Sequence, residues 1–217
     1  MKVIVTGATG MVGEGVLIEC LNNTEVESVL YVGRKPSGKS HPKLTEYLVS
    51  DFLSLKSNNS RLAGYDACFY CAGISSVGMN ETDYTHITYD TTIHFAKVVL
   101  SQNSYLTFNF ISGSHTDSSE KGKVMWARVK GKTENALQKL PFKQQYNFRP
   151  GLMKPDKAQI HLKGFNKYIK SLYPIMGLFY TGCKTTEIGR AMIAVTKFGF
   201  SKKILEAKDI KNATTLL

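Results

Sequence analysis

Apolar residues in this chain come in short, nearly unbroken runs, each closed by a turn-forming residue. The segments "KVIVT" (2–6), "SVLYVG" (28–33), "TEYLVS" (45–50), "DACFYC" (66–71), "TFNFIS" (107–112) and "QYNFRP" (145–150) read as strands. Between them the apolar period lengthens to that of a helix over 11–23, around 84–102 and over 123–139. Continuous rather than alternating apolar strands imply a sheet covered on both faces. Strands that alternate with helices imply parallel pairing through right-handed crossovers, and so a doubly wound α/β fold. Such sheets take ligands beyond the carboxyl ends of their strands.

Strand signals thin out after Pro150. "TTEIGRAMIAVT" (185–196) reads as a helix and "KKILEAKDI" (202–210) as a short strand. No repeat or low-complexity linker interrupts the pattern. The expectation is one domain over 1–217, with a core of about 1–155 and a smaller substrate-side region of about 156–217.

Composition changes this picture little. At 42% hydrophobic and 21% charged residues, the 217-residue chain can bury a sizeable core, which excludes disorder. Met1-Lys2 leads straight into an apolar strand and leaves no room for a signal peptide, so a cytoplasmic protein is expected. The apolar stretch "LYPIMGLFYTG" (172–182) is shorter than the ~20 residues of a membrane span. It is expected to be buried or to line a pocket, with peripheral membrane contact as the alternative.

Charge adds one question. Twenty-eight Lys and Arg against 17 Asp and Glu give a formal charge of +11, which admits polyanions as ligands. Lys154, Lys157, Lys163, Lys167 and Lys170 concentrate part of the excess. Nucleic acid, an acidic lipid surface and a solvated face are all open to them. The solvated face is favoured, because no RNA-binding aromatic signature or helix-turn-helix pattern accompanies the lysines. Cys68 and Cys71 form a C-x-x-C on a strand, where residues three apart point to opposite faces, so the thiols are not expected to share a metal.

The stretch "VTGATGMVGEG" carries the clearest chemistry. Gly7, Gly10 and Gly13 stand between the first strand and the first helix, where a tight turn, backbone approach to a pyrophosphate and close helix packing each favour a missing side chain. The helix N-terminus then offers free N–H groups to the phosphates. Thr9, Met11 and Val12 complete the expected cradle. The second strand ends in "YVGRKPSG". An acidic residue there would bind the ribose 2′-hydroxyl of NAD, whereas Arg34 and Lys35 suit the 2′-phosphate of NADP. NADP is therefore expected over NAD.

"TGATGMVG", "YVGR", "SDF" and "CAG", in that order, resemble the extended and atypical branch of the short-chain dehydrogenase/reductase superfamily, of NAD-dependent epimerase/dehydratase type. "FISGSH", "ARVKGKTENAL" and "FRPGLM" are similar to the Tat-interactive-protein-like oxidoreductases within it. The resemblance runs from residue 2 to about 155. It implies a Rossmann-type sheet, adenine contacts at Asp51 and Phe52, and a ribose and nicotinamide path along Cys71, Ala72 and Gly73, with Pro150 also at the cofactor.

The same resemblance implies a serine after the fifth strand and a Tyr-x-x-x-Lys on the next helix, where tyrosine moves the proton and lysine holds the ribose. Ser114, rather than Ser112, takes the serine's place, and Lys130 the lysine's. Trp126 then stands where tyrosine belongs. Tyr65, Tyr84, Tyr89 and Tyr168 offer no displaced pair, being followed four residues on by Phe69, Thr88, Ile93 and Leu172. An indole N–H donates a hydrogen bond but cannot supply a proton. His115 or a bound water is the substitute acid considered.

Three readings follow. The favoured one is an NADP(H)-binding protein of oxidoreductase type with altered or lost proton transfer, serving an unknown small molecule or protein partner. The second is a working NADPH-dependent reductase of a small carbonyl compound, using Ser114, Lys130 and a substitute acid. The third is a basic adaptor with an inherited nucleotide site.

Overall fold

The structure is a computed structural model that describes residues 1–162 and 182–217. Lys163, Lys167, Lys170, Tyr168 and nearly all of the 172–182 stretch lie outside the described residues.

Seven parallel strands form the main sheet: β1 (Lys2–Thr6), β2 (Ser28–Gly33), β3 (Leu44–Leu48), β4 (Ala67–Tyr70), β5 (Thr107–Ile111), β6 (Gln144–Arg149) and β9 (Ile204–Glu206). Their order is β3-β2-β1-β4-β5-β6-β9, which puts the first strand in the middle and the reversal of winding between β1 and β4. Two further strands, β7 (Leu152–Lys154) and β8 (Gly182–Lys184), pair in parallel beside it. This is the doubly wound Rossmann-type architecture expected from the strand and helix pattern.

Alternation along each strand feeds two cores. Val3, Val5, Tyr31 and Phe148 pack with α1 (Met11–Asn22), α5 (Thr185–Phe198) and α6 (Ala207–Ala213) on one face. Ile4, Leu30, Cys68 and Phe110 pack with α3 (Thr91–Gln102) and Leu137 of α4 (Met125–Gln138) on the other. Cys68 and Cys71 accordingly point into opposite layers, as strand geometry requires.

Two expected elements differ. The helix expected over 84–102 begins earlier, as α2 (Glu81–Thr85), because Asn80 caps it by accepting from the Asp83 N–H. It passes through a π-helical turn (His86–Asp90) into α3. The strand expected over 202–210 lasts only from Ile204 to Glu206. Glu206 and Asp209 then form a reciprocal capping box that starts α6.

β9 joins the edge of the main sheet against β6. α5 lies against α1 so closely that a methyl group on Gly15 would stand 2.2 Å from Thr185 Cβ. The C-terminal segment thus completes the sheet and one of its covering layers. Among the described residues no helix is long and apolar enough to cross a membrane.

Candidate functional site

The carboxyl ends of β1 and β4 are stitched together at the centre of the sheet. Thr6 Oγ1 accepts from the backbone N–H groups of Cys71 and Ala72, both at 3.1 Å. Gly7 turns the chain at φ 72°, and a side chain there would stand 2.5 Å from the Cys71 carbonyl oxygen. Gly13 lets α1 rest on that turn, since a Cβ would fall 2.3 Å from the Gly7 oxygen. Gly10 caps α1 without a side-chain hydrogen bond, which leaves first-turn N–H groups open to an anion at the positive end of the helix. Thr9, Met11 and Val12 lie in this same turn.

Beyond β2 the loop carrying Arg34 and Lys35 is held from several directions. The Tyr31 phenol donates to the Lys35 carbonyl at 2.9 Å, and Ser37 donates from its N–H and its hydroxyl to Glu46. Arg34 and Lys35 themselves are exposed. Asp51 is also exposed, its carboxylate accepting from the Leu53 N–H at 2.9 Å. Phe52 differs from expectation: its ring lies in the core, edge-on to Phe95 with centroids 5.2 Å apart, so only its backbone is left for a ligand.

The structure adds a clamp that the sequence reading missed. Glu14, fully buried in the first turn of α1, accepts from the N–H groups of Ile160 and His161 at 2.7 and 2.8 Å. Lys39 of the β2–β3 loop reaches the same carboxylate at 2.9 Å. Burial alone would raise the Glu14 pKa, but the two N–H bonds and the Lys39 ammonium reverse this and hold it below the usual carboxylate value. Gln159 donates to the Met11 carbonyl, and His161 Nε2 lies 2.7 Å from the Ser37 carbonyl. Residues 156–162 are thereby strapped over α1 and the loop that presents Arg34. A glutamate inside the glycine motif was the available signal.

At the other end of the groove, Ser112 is buried and bonded to the Thr116 hydroxyl at 2.9 Å. Ser114, half-buried, keeps a hydroxyl with no side-chain partner among the described residues. The half-buried Trp126 packs against the glycine between them: a methyl group on Gly113 would stand 3.4 Å from its ring. One helical turn on, Lys130 Nζ donates to the Ile111 carbonyl at 3.2 Å and lies 5.5 Å from the Phe110 ring centroid. Burial pushes the Lys130 pKa down, partly offset by Glu134, to about 8.

Glu134 cannot serve Lys130 as a close counter-ion, because Arg149 takes both its oxygens, through Nε at 2.9 Å and through a second nitrogen at 2.5 Å. Pro150, buried, follows that arginine at the end of β6. Gly73 has nothing within 4 Å of a would-be Cβ among the described residues. Cys71 is less available than its place suggests, since it packs against the core and burial pushes its thiol pKa up. His115 sits exposed at a left-handed φ of 66°.

Tyr31 and Tyr180 also precede a lysine by four residues, a correction to the expectation that no displaced pair exists. Tyr31 does not form a helical pair. Tyr31 is buried in β2 and bonded to the Lys35 backbone. Lys184 stands on β8, and Tyr180 lies outside the described residues.

The groove therefore presents an anion cradle, two exposed cations at the end of β2, and a lysine beside an aromatic ring past β5. Solved structures with the same fold include a UDP-glucose 4-epimerase of Thermotoga maritima (TM-score 0.69, 14% identity, 100% of this chain and 83% of that one). Another is the Bordetella bronchiseptica enzyme WbmF in complex with NAD+ (TM-score 0.65, 13% identity, 99% and 76%).

Relatives by sequence include the Leucinostatins biosynthesis cluster protein T of Purpureocillium lilacinum, 29% identical over 142 residues, which are 63% of this chain and 51% of that protein. Protein HTATIP2 of Rattus norvegicus is 24% identical over 161 residues, 73% of this chain and 65% of that protein. The chain thus spans about half to two thirds of the length of these relatives. Residues 3–121, over half of the 217, match the model of the NAD dependent epimerase/dehydratase family, and the chain belongs to that family.

Proposed function

We propose that this protein binds NADP(H) across the carboxyl ends of its strands and that its proton-transfer chemistry is altered by Trp126. The observation that carries the reading is the pairing of Trp126 and Lys130 one turn apart on α4, the ring over Gly113 and the ammonium at the Ile111 carbonyl. The pyrophosphate would lie on Gly7, Gly10 and Gly13 at the N-terminus of α1. The 2′-phosphate would meet Arg34 and Lys35. Asp51 would face the adenine, and Cys71, Ala72, Gly73 and Pro150 would flank the ribose and nicotinamide.

Bound there, a reduced nicotinamide supplies hydride. The protein's own contribution is to position and to handle charge. Among the described residues Lys130 has one protein acceptor for its three N–H donors, and the rest would serve a ribose. Ser114, whose hydroxyl has no side-chain partner among the described residues, would orient a substrate oxygen. Trp126 can stack on a planar ring and donate one hydrogen bond, but it has no proton to give.

Because the chain has a single tryptophan, its emission reports on this end of the groove alone. NADPH is expected to quench Trp126 saturably by energy transfer to the reduced nicotinamide, and calorimetry is expected to give tighter binding of NADP than of NAD. Arg34→Ala should remove that preference, weakening NADP by about tenfold or more, as expected for a charged hydrogen bond. No binding of either nucleotide at millimolar concentration would overturn the reading.

A further inference from the structure

Four features around Trp126 bear on what the site reduces. The indole forms one wall, lying over a residue that has no side chain to cover it. The segments that follow the paired strands β4 and β5 leave the same edge of the sheet and carry exposed apolar side chains: Ile74 and Val77 after β4, and Val124 at the start of α4, with Val77 88% and Val124 53% exposed. These two loops belong to one patch, because Arg128 of α4 donates to Glu81 at the start of α2 at 2.6 Å and to the Gly122 carbonyl at 2.7 Å. Gly73, at the same edge, has nothing within 4 Å of a would-be Cβ among the described residues. One helical turn on from Trp126 is the Lys130 ammonium, and Glu134, whose charge bears on it, is engaged by Arg149.

Hydride transfer to an ordinary aldehyde or ketone creates an alkoxide, an anion about as basic as hydroxide, whose parent water has a pKa of about 15.7. Such an anion needs a proton donor at hand, and an indole is not one. A quinone behaves differently, because its reduced oxygen is a phenolate, with a conjugate acid of pKa about 10. An acceptor of this kind is flat and apolar, offers a π-face to stack on an indole, and asks for positive charge rather than for a strong push of a proton.

We propose that the substrate of the Trp126–Lys130 site is a quinone, stacked on Trp126 within the apolar rim of Ile74, Val77 and Val124 and held as its hydroquinone anion by Lys130. The inference rests on the reading of the groove as a nicotinamide site. A C–H bond of the reduced nicotinamide would break and its hydride form an O–H bond at one quinone oxygen, while the displaced pair moves through the ring, which becomes aromatic, onto the other oxygen as a phenolate. Lys130 holds that oxygen by its positive charge, and the proton that completes the hydroquinone comes from water. The balance is quinone, reduced nicotinamide and one proton in; hydroquinone and oxidised nicotinamide out.

The test begins with NADP+ binding to the intact chain, measured by calorimetry, since its absence removes the cofactor reading and this one with it. On the NADP+-loaded protein, 1,4-naphthoquinone should then quench Trp126 emission saturably, whereas cyclohexanone should not. Trp126→Leu should weaken naphthoquinone binding about tenfold by calorimetry, and Trp126→Phe should restore most of it, as expected for an aromatic contact. NADPH consumption above the uncatalysed rate should be faster with naphthoquinone than with benzaldehyde. If NADP+ binds normally but the quinone gives no saturable quenching, or binds Trp126→Leu as well as the unmodified protein, or is reduced more slowly than benzaldehyde, the quinone assignment falls and the cofactor reading stands.

Discussion

The roles proposed for Trp126 and Lys130 can be tested one residue at a time. Installing a phenol by Trp126→Tyr should raise turnover of benzaldehyde, by up to the ~10²–10⁴-fold that general acid catalysis contributes. An unchanged or lower rate would show that another group already donates the proton. Lys130→Met should weaken NADPH binding and yet stabilise the fold at neutral pH, because an ammonium buried beside a single carbonyl is held below its ordinary pKa. The folded state binds that proton less tightly than the unfolded state does, so the stability of the unmodified protein rises with pH between about 8 and the ordinary 10.5. The gap in melting temperature between the two proteins should therefore narrow across that window. At this scale the glycine turn was legible in advance, because Gly7 and Gly13 stand where a side chain would meet backbone. Phe52 was not, because a spacing rule places a backbone but cannot say that a ring turns inward onto Phe95.

Among the elements, α1 is the most constrained, since it serves the cradle at one end and packs on α5 along its length. Gly15 reads in the sequence as a continuation of the glycine motif, yet its reason is packing: a Cβ would meet Thr185 Cβ at 2.2 Å. Gly15→Ala is expected to destabilise the fold by about 1–3 kcal/mol, the range for overpacking, which chemical denaturation can measure. Gly131 answers to the same logic on α4, where a Cβ would stand 1.8 Å from the Asp117 carbonyl oxygen. Strands and long helices were legible because their apolar period is strong. The Asn80 and Glu206 starts were missed because capping residues are polar and carry no period; their signal is the acid three residues on, Asp83 and Asp209.

Across the whole molecule, the strap of residues 156–162 joins segments far apart in the chain through one carboxylate. Glu14→Ala would orphan the Ile160 and His161 N–H groups and leave Lys39 unpaired, and should cost about 3–5 kcal/mol by denaturant unfolding, as when one member of a buried pair is removed. Since the folded-state pKa of Glu14 is depressed, its stabilisation is complete above the unfolded value of 4.5 and is lost as pH falls through the lower folded value. Acid unfolding of Glu14→Gln should accordingly be shallower than that of the unmodified protein. The glutamate in the glycine motif signals that a partner is needed, but nothing local to residue 14 names one 146 and 147 positions away. The central place of β1 has a consequence in time. Its two neighbours, β2 and β4, both come later in the chain, and Thr6 reaches its final bonds only when Cys71 and Ala72 arrive beside it. The cradle is therefore not a local motif that a nascent chain can display early; it comes into being when the middle of the sheet closes. A nucleotide that needs the finished cradle has nothing to hold in the unfolded chain, so it should act as a latch, slowing unfolding while leaving the rate of refolding nearly untouched.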